Sequence, residues 1–251
     1  MARPVALVTG ASAGLGVEFA RQLAKRGHQL VLAARRKERL DSLVAELGNA
    51  RAVTIDLGEA GAAQRLLRDI EDSGEQVEIL VNNAGFGLSG RFAELDPARQ
   101  RAMIDLNVGA LTDLCRGVAP AMIARRGGGI LNVASTAAFQ PGPGIAVYFA
   151  TKAYVLSFTE ALHEELKPHG IRVSALCPGP TRTEFGKVAG FGERSALKRM
   201  SMEPEPVVRA GLDGLEANRA VVIPGLFNKT GTAFVKLTPR ALVRRLVAAI
   251  N

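Results

Sequence analysis

Seven short apolar runs recur along the chain, each followed by a stretch with helical spacing, and this alternation constrains the fold more than any other feature. The runs are VALVTG (5–10), QLVLAAR (29–35), ARAVTID (50–56), VEILVNN (77–83), GILNVAS (129–135), IRVSALC (171–177) and AVVIPG (220–225). Strands separated by helices must return in the same direction, so the pattern predicts βαβ units and a parallel sheet covered on both faces. The expected fold is α/β: a doubly wound, Rossmann-type sheet of about seven strands. With 251 residues and 47% hydrophobic content, one domain over residues 1–225 can bury a full core. A long helix is expected between Leu95 and Arg126, beginning after Pro97, and another from Ala146 to Lys167, stopped by Pro168 and Gly170. Residues 179–202 hold four glycines and no clean period, which reads as a mobile substrate loop over the sheet edge.

Several classes of function are disfavoured by composition. The chain enters its first strand by Val5 and contains no run of 18 apolar residues, so a secretory leader and a spanning helix are not expected and the protein reads as cytoplasmic. Cys115 and Cys177 form no CxxC, and neither they nor His28, His163 and His169 show metal-ligand spacing, so no metal is expected. The net charge is +8, and residues 226–251 contribute Lys229, Lys236, Arg240, Arg244 and Arg245 without an acid. Those basic residues lack interleaved aromatics, which argues against nucleic acid. From Pro239 onward their spacing fits an amphipathic helix. This basic extension either folds back on its own subunit or meets an anionic membrane surface or a partner's groove.

Thr9-Gly10-Ala11-Ser12-Ala13-Gly14-Leu15-Gly16 follows the first strand and opens a helix. Glycines at such a turn let the backbone approach a pyrophosphate, whose charge meets the free N–H groups of the helix end. At the end of the second strand, an acid would hold the ribose hydroxyls of NAD and repel a 2′-phosphate. The chain has Ala33-Ala34-Arg35-Arg36 there. Arg35 can fork a phosphate, so NADP is expected over NAD, with Arg36 starting a solvated helix.

Tyr148 and Lys152 stand four apart on a helical stretch, so they share a face. Ser135 closes the fifth strand, and QPGPG turns the chain back toward that helix. The three can meet at the carboxyl edge of the sheet. Together with Asp56, the Asn82-Asn83-Ala84-Gly85 stretch, Asn107, Phe149-Ala150-Thr151, Pro178-Gly179 and Thr183, they make the chain resemble the short-chain dehydrogenase/reductase family in its compact single-domain branch. The likeness covers residues 4 to 225.

The resemblance implies roles. Tyr148 is the acid/base; Lys152 lowers its pKa and holds the nicotinamide ribose; Ser135 steadies the substrate oxygen; Asn107 holds a water that continues a proton relay. Gly10, Ser12, Ala13, Gly14, Leu15, Gly16 and Arg35 hold the cofactor's phosphates. Asp56 and Leu57 meet the adenine, Asn83, Ala84 and Gly85 line the adenosine ribose, and Pro178, Gly179, Thr181 and Thr183 face the nicotinamide amide. Asn82 is structural. Some NADP-using relatives carry a basic residue just before the second glycine, where this chain has Ala13. That leaves phosphate recognition to Arg35 and keeps NAD as a second cofactor.

The implied activity is reversible hydride transfer between NADP(H) and a ketone, aldehyde or secondary alcohol. Phe139, Ile145, Phe185, Val188 and Phe191 around the expected pocket point to a hydrophobic carbonyl substrate. A non-catalytic nucleotide sensor of the same fold is the alternative, although it would not need Asn107, Ser135, Tyr148 and Lys152 together. A dehalogenase-type relative would replace Lys152 and the cradle glycines. A homodimer is expected over a tetramer, through the helices around residues 109–124 and 147–167.

Overall fold

The computed structural model describes residues 2–190 and 201–250. Seven parallel strands form its centre: β1 (Arg3–Thr9), β2 (Leu30–Ala34), β3 (Ala50–Thr54), β4 (Glu75–Asn82), β5 (Gly128–Val133), β6 (Ile171–Leu176) and the short edge strand β7 (Val221–Val222). Their order is β3-β2-β1-β4-β5-β6-β7. The chain therefore reverses its direction of winding between β1 and β4, where an open α/β sheet presents a crevice at the carboxyl ends of its strands.

Alternate residues of β1 feed two separate cores. Val5 and Leu7 face α3 (Ala62–Asp72), α5 (Leu111–Arg125) and α6 (Ala146–Leu166), meeting Leu66, Ile70, Leu114 and Val155. Ala6 and Val8 face the other way, toward Phe19 and Leu23 of α1 (Leu15–Lys25), Leu40 of α2 (Lys37–Leu47) and Val208 and Leu212 of α8 (Pro204–Glu216). Each such large side chain, fully buried, contributes about 1.5–3 kcal/mol. Both faces are covered, as a parallel sheet requires.

All seven apolar runs overshoot their strands at the carboxyl end. Gly10, Arg35, Asp56, Asn83, Ser135, Cys177 and Gly225 all lie past the last strand residue, so they belong to the rim of the sheet. The long helix expected after Pro97 begins as α4 (Pro97–Ile104), whose first turn is capped by Asp96 accepting from the Ala98 N–H at 2.9 Å. It then widens into a π-helical turn at Asp105–Ala110 before α5. A π-turn inserts a residue into the helical ladder and redirects one side chain, here Asn107.

Of the 179–202 loop, the structure shows a bridge between Thr181 and Met202 and a short α7 (Phe185–Val188). Phe191 and the side chain of Val188 lie outside the described residues. Beyond β7, α9 (Leu226–Leu237) and α10 (Arg240–Ile250) run along the domain. Asn228 donates to the Pro224 carbonyl at 2.8 Å, the Lys236 ammonium stands 5.1 Å from the Phe139 ring centre, and Val243 and Val247 are buried. Leu226, Phe227, Phe234 and Leu237 face outward. No helix among the described residues is long and apolar enough to cross a membrane, and no cluster of metal-ligating side chains occurs among them.

Candidate active site

The turn between β1 and α1 is shaped by what its glycines leave out. Gly14 takes φ +55°, and Thr183 packs so close that a Cβ at residue 14 would lie 3.1 Å from the threonine Cβ. A Cβ on Gly16 would collide with the Gly10 carbonyl. No side chain caps the N-terminus of α1, as a cradle for an anion requires. Gly10, Ser12, Ala13, Leu15 and the other expected cradle residues sit together here. Thr9, which sequence reasoning passed over, ties this turn to β4: its hydroxyl donates to the Val81 carbonyl at 3.2 Å and accepts from the N–H groups of Asn83 (3.0 Å) and Ala84 (3.1 Å). The Asn83 amide adds a bond to the Thr9 carbonyl at 2.9 Å. The Asn82-Asn83-Ala84-Gly85 stretch thus clamps the switch point.

The two arginines after β2 are both exposed, and the side chain that reaches the cradle is that of Arg36. Arg35 is largely exposed and pairs loosely with Asp56 at 3.5 Å. Arg36, expected to be solvated, turns into the cradle, where Nε donates to Ser12 Oγ at 3.1 Å and Nη2 to the Ser12 carbonyl at 3.2 Å. The direction of this side chain has a backbone cause, since Arg36 is the extended N-cap residue of α2 (φ −92°, ψ 93°) and not part of the helix. Asp56 also accepts from the Gly58 N–H at 2.9 Å. The side chain of Leu57 is buried in the core, so only its backbone is at hand for a nucleotide.

At the other end of the crevice, Ser135, Tyr148 and Lys152 converge. The Tyr148 phenol lies near enough to Ser135 for that hydroxyl to favour its charged form, while Ser135 Oγ accepts from the Ala137 N–H at 3.1 Å and donates to the Pro178 carbonyl at 3.4 Å. The Lys152 ammonium stands 5.8 Å from the Tyr148 ring centre and donates to the Val133 carbonyl at 2.7 Å. Burial pushes the phenol up to about 12, with Ser135 pulling the other way. It pushes the Lys152 ammonium down to about 8. Both shifts oppose the charged forms, as desolvation dictates. In this state Tyr148 holds its proton.

Asn107 is buried and fully engaged. Its amide donates to the Phe86 carbonyl (2.9 Å) and to Thr151 Oγ1 (3.1 Å), and its oxygen accepts from the Phe86 N–H (3.1 Å). Gly85 lies between this residue and Lys152: a Cβ there would be 2.9 Å from Asn107 Oδ1 and 3.8 Å from Lys152 Nζ. Pro178 accepts the Thr136 N–H at 2.9 Å, and Thr181 bonds to the Gly179 carbonyl at 3.0 Å. The loop after β6 then runs across the crevice, with the Phe185 ring centre 5.4 Å from that of Tyr148.

A glycine turn at the switch point of a Rossmann-type sheet, sharing its edge with a paired phenol and amine, defines the class as a dinucleotide-binding oxidoreductase. A short chain dehydrogenase family profile matches residues 4–191. The fold aligns with a short-chain dehydrogenase from Sphingobium yanoikuyae in complex with NADPH (37% identity, TM-score 0.81, covering 93% of this chain and 94% of that one). It aligns also with the bulky-bulky ketone specific alcohol dehydrogenase from Comamonas testosteroni (33% identity, TM-score 0.77, 94% of each chain). In sequence, the NADP-dependent 3-hydroxy acid dehydrogenase of Escherichia coli K12 is 35% identical over 219 residues, 82% of this chain and 86% of the relative. The chain belongs to the short-chain dehydrogenase family, whose named members here are oxidoreductases acting on hydroxyl or carbonyl groups.

Proposed function

We propose that this protein is an NADP(H)-dependent reductase of ketones or aldehydes, reversible as a secondary-alcohol dehydrogenase, with a hydrophobic substrate. The observation that carries the reading is the convergence of Ser135, Tyr148 and Lys152 at the same sheet edge as the glycine cradle. The cradle fits a dinucleotide, because Gly10, Gly14 and Gly16 leave little or no room for a Cβ and the turn ends on an uncapped helix. Gly10, Ser12, Ala13, Gly14, Leu15 and Gly16 would hold the pyrophosphate; Asp56, Leu57 backbone, Asn83, Ala84 and Gly85 the adenosine; Pro178, Gly179, Thr181 and Thr183 the nicotinamide end. Arg36, with Arg35 beside it, would meet the 2′-phosphate. The relatives bearing NADP or NADPH in their names support the same choice.

Bound NADPH supplies the hydride. Tyr148 gives its proton to the carbonyl oxygen as charge grows there, and its protonated resting state suits it to reduction. Ser135 donates to the same oxygen and so stabilises the developing alkoxide. Lys152, titrating near neutrality, returns a proton toward the phenolate after turnover. Asn107 positions the neighbouring backbone at Phe86 and the Thr151 hydroxyl so that this relay stays aligned.

Leu88, Met103, Ala137 and Ile145 cluster with Tyr148, and Phe86, Phe149 and Phe185 pack against them. This apolar wall supports a hydrophobic carbonyl compound, in keeping with the ketone-specific relative. A dimer would use α5 and α6, where Tyr154 stacks on Phe158 (5.6 Å between centres) and remains partly exposed. Residues 1–225 would act as the catalytic domain, with 226–251 as an appended extension.

The test is titration with NADPH and NADH by ligand fluorescence, using Arg35→Ala and Arg36→Ala, then a panel of ketones with Tyr148→Phe as control. At least about tenfold tighter NADPH binding, lost mainly in Arg36→Ala, is expected, since a guanidinium–phosphate contact is worth about 1.5–3 kcal/mol. Binding of neither nucleotide would defeat the reading.

A further inference from the structure

Three consecutive residues after β6 touch three separate parts of the crevice. Thr183 lies over Gly14 of the cradle, and Phe185 lies beside Tyr148. Between them, the Glu184 carboxylate reaches the arginines that follow β2. Arg39 Nη1 donates to Glu184 Oε1 at 2.9 Å and to Oε2 at 3.0 Å, and Arg36 Nη1 donates to Oε2 at 3.2 Å. The same Arg36 guanidinium holds Ser12 through its other nitrogens.

An anion therefore already stands on the cationic pair beside the cradle. The remaining charges around it are otherwise engaged: Arg35 with Asp56 at 3.5 Å, and Lys37 with Asp41 at 2.6 Å. Among the described residues, Arg36 and Arg39 pair with no acid of α2, but with one supplied by the loop after β6.

We infer that Glu184 is a specificity-setting residue that competes with the cofactor's 2′-phosphate for Arg36 and Arg39. This rests on the NADP(H) reading above. A phosphate arriving at Arg36 must displace the carboxylate or lie against it, and two anions on one guanidinium repel. NAD(H), with only hydroxyls at that position, makes no such demand. Glu184 thus lowers the margin by which the phosphorylated nucleotide is preferred. Because Thr183 and Phe185 flank it, release of Glu184 also frees the loop that covers the crevice from Gly14 to Tyr148.

Glu184→Gln keeps the shape and hydrogen-bonding reach while removing the charge. The side chain is half-exposed, so the change leaves folding intact. Dissociation constants for NADPH and NADH are measured by fluorescence titration on the wild type, Glu184→Gln and Glu184→Asp at low and at high salt. Exposed ion pairs are weak, so the expected gain is about three- to tenfold tighter NADPH binding in Glu184→Gln, shrinking at high salt. NADH binding should not change, and Glu184→Asp should stay close to wild type. An unchanged or weakened NADPH affinity in Glu184→Gln overturns the inference, as does an equal change for both nucleotides. If the wild type prefers NADPH and the variant leaves that ratio alone, only the role of Glu184 falls. If neither chain prefers NADPH, the 2′-phosphate reading falls with it.

Discussion

Replacing Lys152 by methionine should stabilise the folded chain at neutral pH while disabling it. Lys152 is buried among the residues of α6, and desolvation lowers its pKa from the ordinary 10.5 to about 8. At about 1.36 kcal/mol per unit, holding this ammonium in the folded chain at pH 7 costs about 3 kcal/mol. The folded pKa lies below the unfolded one, so between them the unfolded chain binds more protons. The cost is therefore complete below pH 8 and fades as the pH rises from about 8 toward 10.5. Lys152→Met keeps the apolar stem and removes the cation, but it leaves the Val133 carbonyl without its 2.7 Å donor, a loss of about 1 kcal/mol. The variant should thus be more stable by about 2 kcal/mol at pH 7, with the advantage gone by about pH 10. Urea denaturation of both chains across that range measures it, and their shared titrations cancel in the difference. A difference that does not change with pH, or one that favours the wild type at pH 7, refutes the reasoning. Turnover should meanwhile fall by at least about 100-fold.

Tyr148→Phe should lower turnover by at least about 100-fold. Its stability should move by less than about 1 kcal/mol, because Ser135 keeps the Ala137 N–H and has the Pro178 carbonyl at 3.4 Å; parallel activity and urea measurements check both. Gly16→Ala pushes a Cβ onto the Gly10 carbonyl and to 2.8 Å from Asn83 Nδ2. Backbone must move, so a loss of about 1–3 kcal/mol in stability is expected, with NADPH affinity reduced at least tenfold in a fluorescence titration. Asn107→Ala strips hydrogen bonds from the Phe86 N–H, the Phe86 carbonyl and Thr151. It should cost about 2–3 kcal/mol by urea midpoint, and Asn107→Asp should recover part of it by restoring the acceptor for Phe86.

The architecture was legible because a parallel sheet needs both faces buried, and that demand wrote continuous apolar runs into the sequence. The ends of those runs were legible too, but as strand. Gly10, Arg35, Asn83 and Ser135 close those runs just past the strands, and periodicity cannot tell a last strand residue from the first residue of a rim. The phenol and lysine were readable from their spacing of four on α6. Their titration was not, since desolvation depends on neighbours such as Phe149 and Phe185 that come from outside the motif or beside it. Adjacent arginines are indistinguishable in sequence. Only the extended backbone at Arg36 turns that one inward. Glu184 carried no signal at all, because its partners lie more than a hundred residues earlier in the chain. The π-turn before α5 likewise leaves no compositional trace.

Beneath the site, polar side chains set the geometry that the apolar core alone would leave loose. Asn82 at the end of β4 donates to Asn132 Oδ1 at 2.9 Å, and Asn132 on β5 donates to Thr159 of α6 at 3.0 Å. All three are buried, so an orphaned member would cost far more than the bond returns. Leucines in their place could fill the same volume, yet hydrophobic contact tolerates sliding where hydrogen bonds do not. The chain of amides fixes how far α6 lies along β5, and with it where Tyr148 and Lys152 stand relative to Ser135. Thr9 does the same for β1 against β4, through Val81, Asn83 and Ala84. The strands that bear the cradle and the strand that bears Ser135 are thereby tied to one helix. The acid/base pair and the cradle hold a common register because each is bonded across β4.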